Sequence, residues 1–284
     1  MDRRATLRAN EGTDPAPGRA RPRPRPGGRA GTSRPLHRSA SWSLRGIALA
    51  LTLVLLPAGE ARAFGETSRL TFVQGRYDGN WNPRTSALRR LAFEIGTRTS
   101  ISTLPEEKVL DLDSPELFRY PFLYLAGTGP LPTLSQAQTD NLRRYLTYGG
   151  FLLCDDAGDG SFAASCEREI ARVLPGQEAG RIPADHVLFK SFFLVDQPAG
   201  RTLARPYLTG FTEGSRLAVV ISANDLGGAW ARDELGSWEY EVAPGGESQR
   251  EFAFRLGVNI AMYSLCTDYK DDQVHIPFIM KRRR

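Results

Sequence analysis

In this 284-residue chain, two pairs of polar residues stand directly behind uninterrupted apolar runs, where a fold can hold reactive side chains in fixed places. Phe151–Cys154 leads into Asp155 and Asp156, and Leu217–Ser222 (LAVVIS) ends at Asn224 and Asp225. Two further loops are placed alike. Arg76, Tyr77, Asp78 and Trp81 follow the apolar run Leu70–Gln74, and Gly127, Thr128 and Gly129 follow Pro121–Ala126. Three carboxylates gathered from such loops, Asp78, Asp155 and Asp156, suit a divalent cation such as Mg²⁺ or Ca²⁺, which prefer oxygen ligands. No other cofactor is implied. The same loops suit a sugar or peptide, with Tyr77 or Trp81 as a stacking face. A plainer reading stands beside these: Asp at a strand–helix junction commonly caps the next helix, and Asp156 and Asp225 both fit it. Asp78-Gly79 is in its own right a turn signature.

Nucleophilic chemistry has little support. Of the three histidines, His186 and His275 lie beyond the amino-terminal leader, each near aspartates that could orient a general base. With Asp156 they are the acid–base candidates, and each histidine also reads as a structural one. No G-x-S-x-G, Walker lysine or G-x-G-x-x-G occurs. Cys154 stands beside two aspartates, which raise a thiol pKa and suppress the thiolate. The three cysteines cannot all pair, and Cys154 and Cys266 read as small buried hydrophobes.

The elements that must position these residues alternate between short apolar runs and amphipathic stretches. Runs without alternation predict strands buried on both faces, and helices between them predict parallel connections. Strands are expected over 70–74, 108–112, 121–126, 151–154 and 217–222. Helices are expected after an Asn82-Pro83 cap, from Ser135 to Gly149-Gly150, over 165–174 and over 248–266. The fold class is α/β, a doubly wound, mostly parallel sheet that holds ligands beyond the carboxyl ends of its strands. Residues 64–284 form one domain, with the irregular stretch 176–215 as an elaboration.

The amino-terminal 63 residues are different in kind. Positions 1–40 are rich in Arg, Pro and Gly, including Arg21-Pro22-Arg23-Pro24-Arg25-Pro26, and read as a disordered leader. The pairing of a long leader with a late apolar run suggests a misassigned start. Residues 41–63 then follow the pattern of a secretory signal: Arg45, an apolar run from Gly46 to Leu56, Pro57, and the small-residue site Ala61-Arg62-Ala63. Cleavage near Ala63 and a periplasmic location are expected, with no membrane span afterwards. Of the 37 basic and 32 acidic residues, 12 arginines and four acids lie in this leader, leaving 25 and 28 behind it. The remaining chain is therefore weakly acidic, which argues against a nucleic-acid partner.

Several strings occur together: FVQGRYDGNW (72–81), PFLYLAGTG (121–129), LRRYLTYGGFLLCDD (142–156), DHVLF (185–189), NIAMY (259–263) and DYKDDQVHIP (268–277). Jointly they resemble the bacterial domain-of-unknown-function 4159 family. The resemblance implies a flavodoxin-like fold similar to the class I glutamine-amidotransferase-like domains. At the expected nucleophile elbow this sequence has Cys154-Asp155-Asp156-Ala157-Gly158 instead of Gly-x-Cys-x-Gly, so amidotransferase activity is not implied. Longer relatives look like parts of envelope assembly systems. The expected function is a non-catalytic envelope binding or assembly module with an envelope or inner-membrane protein partner, using the strand-end cleft or the segment Tyr269–His275. The rival is a metal-assisted hydrolase of envelope glycans or peptides.

Overall fold

The computed structural model describes residues 69–281, with side chains through residue 266. All of these lie in Arg62–Arg284, the second of two units into which the chain divides. The leader and signal segment predicted over 1–63 fall outside the described residues.

Seven strands form one sheet: β1 (Val73–Arg76), β2 (Lys108–Asp111), β3 (Phe122–Gly127), β4 (Phe151–Asp156), β5 (Gly180–Arg181), β6 (Thr209–Glu213) and β7 (Arg216–Ser222). Their order is β2-β1-β3-β4-β7-β6-β5. Pairing is parallel from β2 to β7 and antiparallel through β6 and β5. The five parallel strands follow a doubly wound, flavodoxin-like order, in keeping with the fold class expected. Every residue of β3 and β4 is buried, which is why both read as continuous apolar runs.

Helices cover both faces: α1 (Ala87–Arg98), α2 (Gln136–Thr147), α3 (Ser161–Val173), α4 (Leu226–Trp230) and α5 (Gly246–Lys281). One core joins α1, α4 and α5 to the sheet through Leu91, Ile95, Trp230 and Phe254. The other joins α2 and α3 through Leu142, Leu146, Phe162 and Ile170. Helix α2 begins where the sequence predicts. The Ser135 hydroxyl accepts from the Gln138 N–H (3.2 Å), and the Gln138 side chain accepts from the Ser135 N–H (3.0 Å). It ends ahead of Gly149, whose φ of 105° suits glycine.

Other boundaries move, with identifiable causes. Helix α1 starts behind Ser86 instead of at Asn82-Pro83. The intervening turn is held elsewhere, because Arg84 reaches an aspartate beyond β7 and the Ser86 hydroxyl accepts from Arg232 N–H (2.9 Å). Helix α3 starts four residues early, at Ser161, where carboxylates receive its first N–H groups. The stretch 176–215 contributes β5, a short 3-10 helix (Val187–Lys190) and β6. Strand β6 lacks an apolar run: Thr212 is exposed, and Gly210 lies where a Cβ would overlap the Val219 carbonyl. Cys154 and Cys166 are buried, but Cys266 is exposed, so the expectation of a buried Cys266 fails.

Helix α5 runs antiparallel to the parallel strands. Near its start, Gln249 donates to the carbonyls of Gly200 (2.8 Å) and Arg201 (3.3 Å), beside the carboxyl end of β7. Farther along, the Tyr263 hydroxyl accepts from Leu217 N–H (3.0 Å) at the beginning of β7. Just inside that amino-terminal edge the rings of Phe72, Phe122, Phe151 and Tyr263 form a row, with successive centroids 4.9, 5.5 and 6.1 Å apart. Phe122 touches two other rings and has no exposure. Phe122→Ala is expected to cost about 3–5 kcal/mol, read as a lower urea midpoint at unchanged m-value. A loss below about 1 kcal/mol would show that this row is not the core.

Candidate functional site

Parallel strands end with their carboxyl tips at one edge, where the following helices present unpaired N–H groups. The four loops expected to converge there do so. Asn80 Nδ2, after β1, donates to the Thr128 hydroxyl after β3 (2.9 Å). A Cβ on Gly158, after β4, would overlap the Thr128 carbonyl. Arg84 donates to the Ala157 carbonyl (3.1 Å) and to Asp225 after β7. The rim is a single structure.

Three of its carboxylates, Asp155, Asp156 and Asp225, are buried and engaged. Asp156 accepts from Gly158 N–H (2.7 Å) and Ala163 N–H (2.8 Å), so the helix-cap reading describes it. Asp155 is wholly buried. It accepts from Tyr124 Oη (2.8 Å), Leu226 N–H (2.9 Å) and Gly227 N–H (2.7 Å), tying β3, β4 and the start of α4 together. Asp225 adopts a left-handed conformation (φ 56°) that lets its carboxylate accept from Gly228 N–H (2.8 Å). The same carboxylate binds Arg84 through two bonds, 3.0 and 2.7 Å, and also pairs with Arg201. The Arg84 guanidinium lies 4.0 Å from the centre of the Tyr240 ring. Asn224 is buried and spends its amide on Pro198 O (2.6 Å), Arg205 O (2.7 Å) and Arg205 N–H (2.8 Å).

The electrostatics follow from this burial. Desolvation and the nearby charge of Asp225 push Asp155 up to about 7, against its backbone N–H donors. Burial and the Asp155 charge hold Tyr124 as a neutral phenol.

The remaining candidates divide between rim and elsewhere. Tyr77 is buried; its hydroxyl donates to Ala126 O (2.8 Å) and its ring lies against Phe162 (6.0 Å), so it offers no stacking face. Trp81 is half-buried against the second core. Arg76 pairs with Asp111 on β2 at 2.6 and 2.7 Å in solvent. Asp78 and Thr128 are exposed at the rim. The structure therefore does not assemble Asp78, Asp155 and Asp156 into one ligand set. No group of three or more His, Cys, Asp or Glu able to hold a metal ion exists among the described residues. His186 is at the opposite edge, its Nδ1 accepting from Leu188 N–H (3.1 Å) and its ring 5.6 Å from Tyr263. Burial pushes its pKa down. The side chain of His275 lies outside those described.

Sequence reading missed Tyr124, Arg84 and Arg201. Arg84 and Asp225 are 141 residues apart, so spacing carries no signal for the pair. The available clue was chemical: two carboxylates at neighbouring buried tips need counter-charge.

The sheet order and the strand-end rim define a doubly wound, flavodoxin-like α/β protein. The family model described as a domain of unknown function (DUF4159) matches residues 69–265, and the chain belongs to that family. No curated protein matches the sequence. Among solved structures, the chain is similar to the flavodiiron protein from Giardia intestinalis at 9% identity and a TM-score of 0.29. That match covers 71% of this chain and 37% of the other.

Two variants test the rim. The folded state favours protonated Asp155, so the stability it confers is present below its ordinary value of 3.8 and is lost as pH rises toward about 7. Wild type should therefore lose stability relative to Asp155→Asn between pH 5 and 7, by no more than about 1.4 kcal/mol per pH unit. The two should run parallel above pH 8. Parallel urea midpoints throughout would refute the linkage. Asp225→Asn keeps a residue that tolerates the left-handed backbone. Because it strands two part-buried arginines, it should cost about 3–5 kcal/mol, whereas neutral melting behaviour would show that the ion cluster is incidental.

Proposed function

We propose that this domain is an exported, non-catalytic binding or assembly module of the cell envelope, acting in the periplasm after cleavage near Ala63. The observation that carries the non-catalytic reading is the closed rim. Where a doubly wound fold ordinarily holds its ligand, Asp155, Asp156, Asn224 and Asp225 are spent on backbone groups and arginines. A metal-assisted hydrolase using Asp78, Asp155 and Asp156 would have to draw two carboxylates away from helix N–H groups, leaving buried donors unpaired.

Asp78, Asn80, Thr128 and Asp159 remain exposed on the rim, a rigid polar surface suited to a protein partner. The reading of export rests on Arg45, the apolar run and Ala61-Arg62-Ala63. No helix among the described residues is long and apolar enough to cross a membrane.

The test pairs fractionation with capture. Protein recovered from the periplasm should begin at Phe64. An Asp78→Ala/Thr128→Ala variant should recover its envelope partner at least about fivefold less well than wild type, the loss of ~1 kcal/mol of contact energy. An intact chain confined to the cytoplasm would overturn export, and equal recovery by both proteins would remove the rim from the interface.

A further inference from the structure

The amino-terminal edge of the sheet carries an open groove of about 400 Å³, lined by Phe118, Arg119, Pro121, Tyr145, Tyr148 and Gly150 among others. That volume is in the range of a specific binding site. Phe118 is 42% exposed and Tyr148 76%. Their ring centroids are 6.4 Å apart, and Tyr145 stands 6.4 Å from Phe118. Tyr145 is fixed because its hydroxyl donates to Phe151 O (3.2 Å). Its ring occupies the space that a Cβ on Gly150 would need, so the glycine keeps the groove in shape.

The charge of the groove is one-sided. Arg119 is exposed and has no ion-pair partner among the described residues, and no carboxylate lines the groove. Arg144 lies 5.9 Å from the centre of the Phe118 ring and adds a second cation nearby. The fitting occupant presents an aromatic ring to the two exposed rings and an anion to Arg119.

The chain itself supplies such a segment just ahead of the described residues. The residues directly ahead of Arg69 are Phe64-Gly65-Glu66-Thr67-Ser68, with an aromatic and a carboxylate two positions apart. In extended chain, positions i and i+2 share a side. Leu70 is anchored by its N–H to Ser102 O (2.9 Å), at the beginning of β1. Two residues later the Phe72 ring meets Phe122, the neighbour of Pro121, and Phe122 meets Phe151, the neighbour of Gly150. Six residues span up to roughly 20 Å when extended, enough to carry Phe64 from Leu70 across these adjacent strand starts.

We propose that Phe64–Ser68 docks in this groove, with the Phe64 ring against Phe118 and Tyr148 and the Glu66 carboxylate on Arg119. The docking does not rest on export, since the reach is the same in the uncleaved chain. If the chain is cut after Ala63, the docked residue is also the new amino terminus.

Photo-crosslinking of the full chain, with p-benzoylphenylalanine replacing Phe64, tests this without altering the groove. The expected product is an intramolecular crosslink to peptides covering 118–121 or 145–150. Glu66→Arg should lower its yield roughly 2- to 5-fold, the reach of an exposed ion pair, and adding Arg119→Glu should restore it. An intermolecular crosslink to the groove would instead make the occupant a second copy. Crosslinks elsewhere, no crosslink, or a yield indifferent to both charge changes would also overturn the proposal. Sequencing the amino terminus of the same sample reports separately whether export processing occurred.

Discussion

Two buried carboxyl groups, Asp155 at the end of β4 and Asp225 just beyond neighbouring β7, hold the carboxyl edge of this protein together. Parallel strands bring their tips to one edge, and each helix that leaves that edge starts with N–H groups that nothing in the helix can satisfy. Asp155 supplies acceptors to Leu226 and Gly227, and Asp225 supplies one to Gly228, so both serve the short α4. Charge is costly in so dry an environment, and burial with the charge of Asp225 favours the protonated form of Asp155. Arg84 and Arg201 both pair with Asp225, and by doing so fasten the loops after β1 and before β6 to the same point. Local capping thereby becomes long-range cohesion.

The legible and illegible parts of the fold separate along this line. Continuous apolar runs made β3, β4 and β7 readable, because burial on both faces leaves a mark that needs no partner to interpret. The capping box at Ser135 and the glycine stop at Gly149 were readable for the same reason: cause and effect lie within a few residues. That polar loops meet at one edge also followed from strand parallelism alone. What those loops do with their side chains did not follow. Asp155 is a helix cap for a segment 71 residues away, and Arg84 reaches 141 residues to Asp225. Such contacts are decided by tertiary placement, and the sequence near each residue is neutral about them. The displaced start of α1 has the same origin: Ser86 gives its hydroxyl to Arg232 instead of its own helix.

The closed rim also explains why residue type alone pointed toward chemistry. Clustered aspartates behind strands are what a metal site and a set of helix caps have in common, and only the direction of each carboxylate separates them. Here Asp156 turns toward Gly158 and Ala163, and Asp155 toward α4, so both point along helix starts and not into a shared space. A loosely held rim would leave oxygen atoms to spare. At this rim Asp78 and Thr128 stay at the surface.

The two edges of the sheet thus have opposite physics. The carboxyl edge is knotted by charge, with its donors and acceptors matched against one another. The amino edge is held by the aromatic row Phe72–Phe122–Phe151–Tyr263, whose packing is non-directional and leaves neighbouring rings such as Phe118 and Tyr148 free to face solvent. The row is buried, and the groove lined by Phe118, Tyr145 and Tyr148 opens at the same edge. The described chain start and Tyr263 of α5 both lie at this edge, whereas the carboxyl edge is crossed by tightly bonded loops. In this fold, then, buried carboxylates tie the loops together where strands end, and an open groove lies where strands begin.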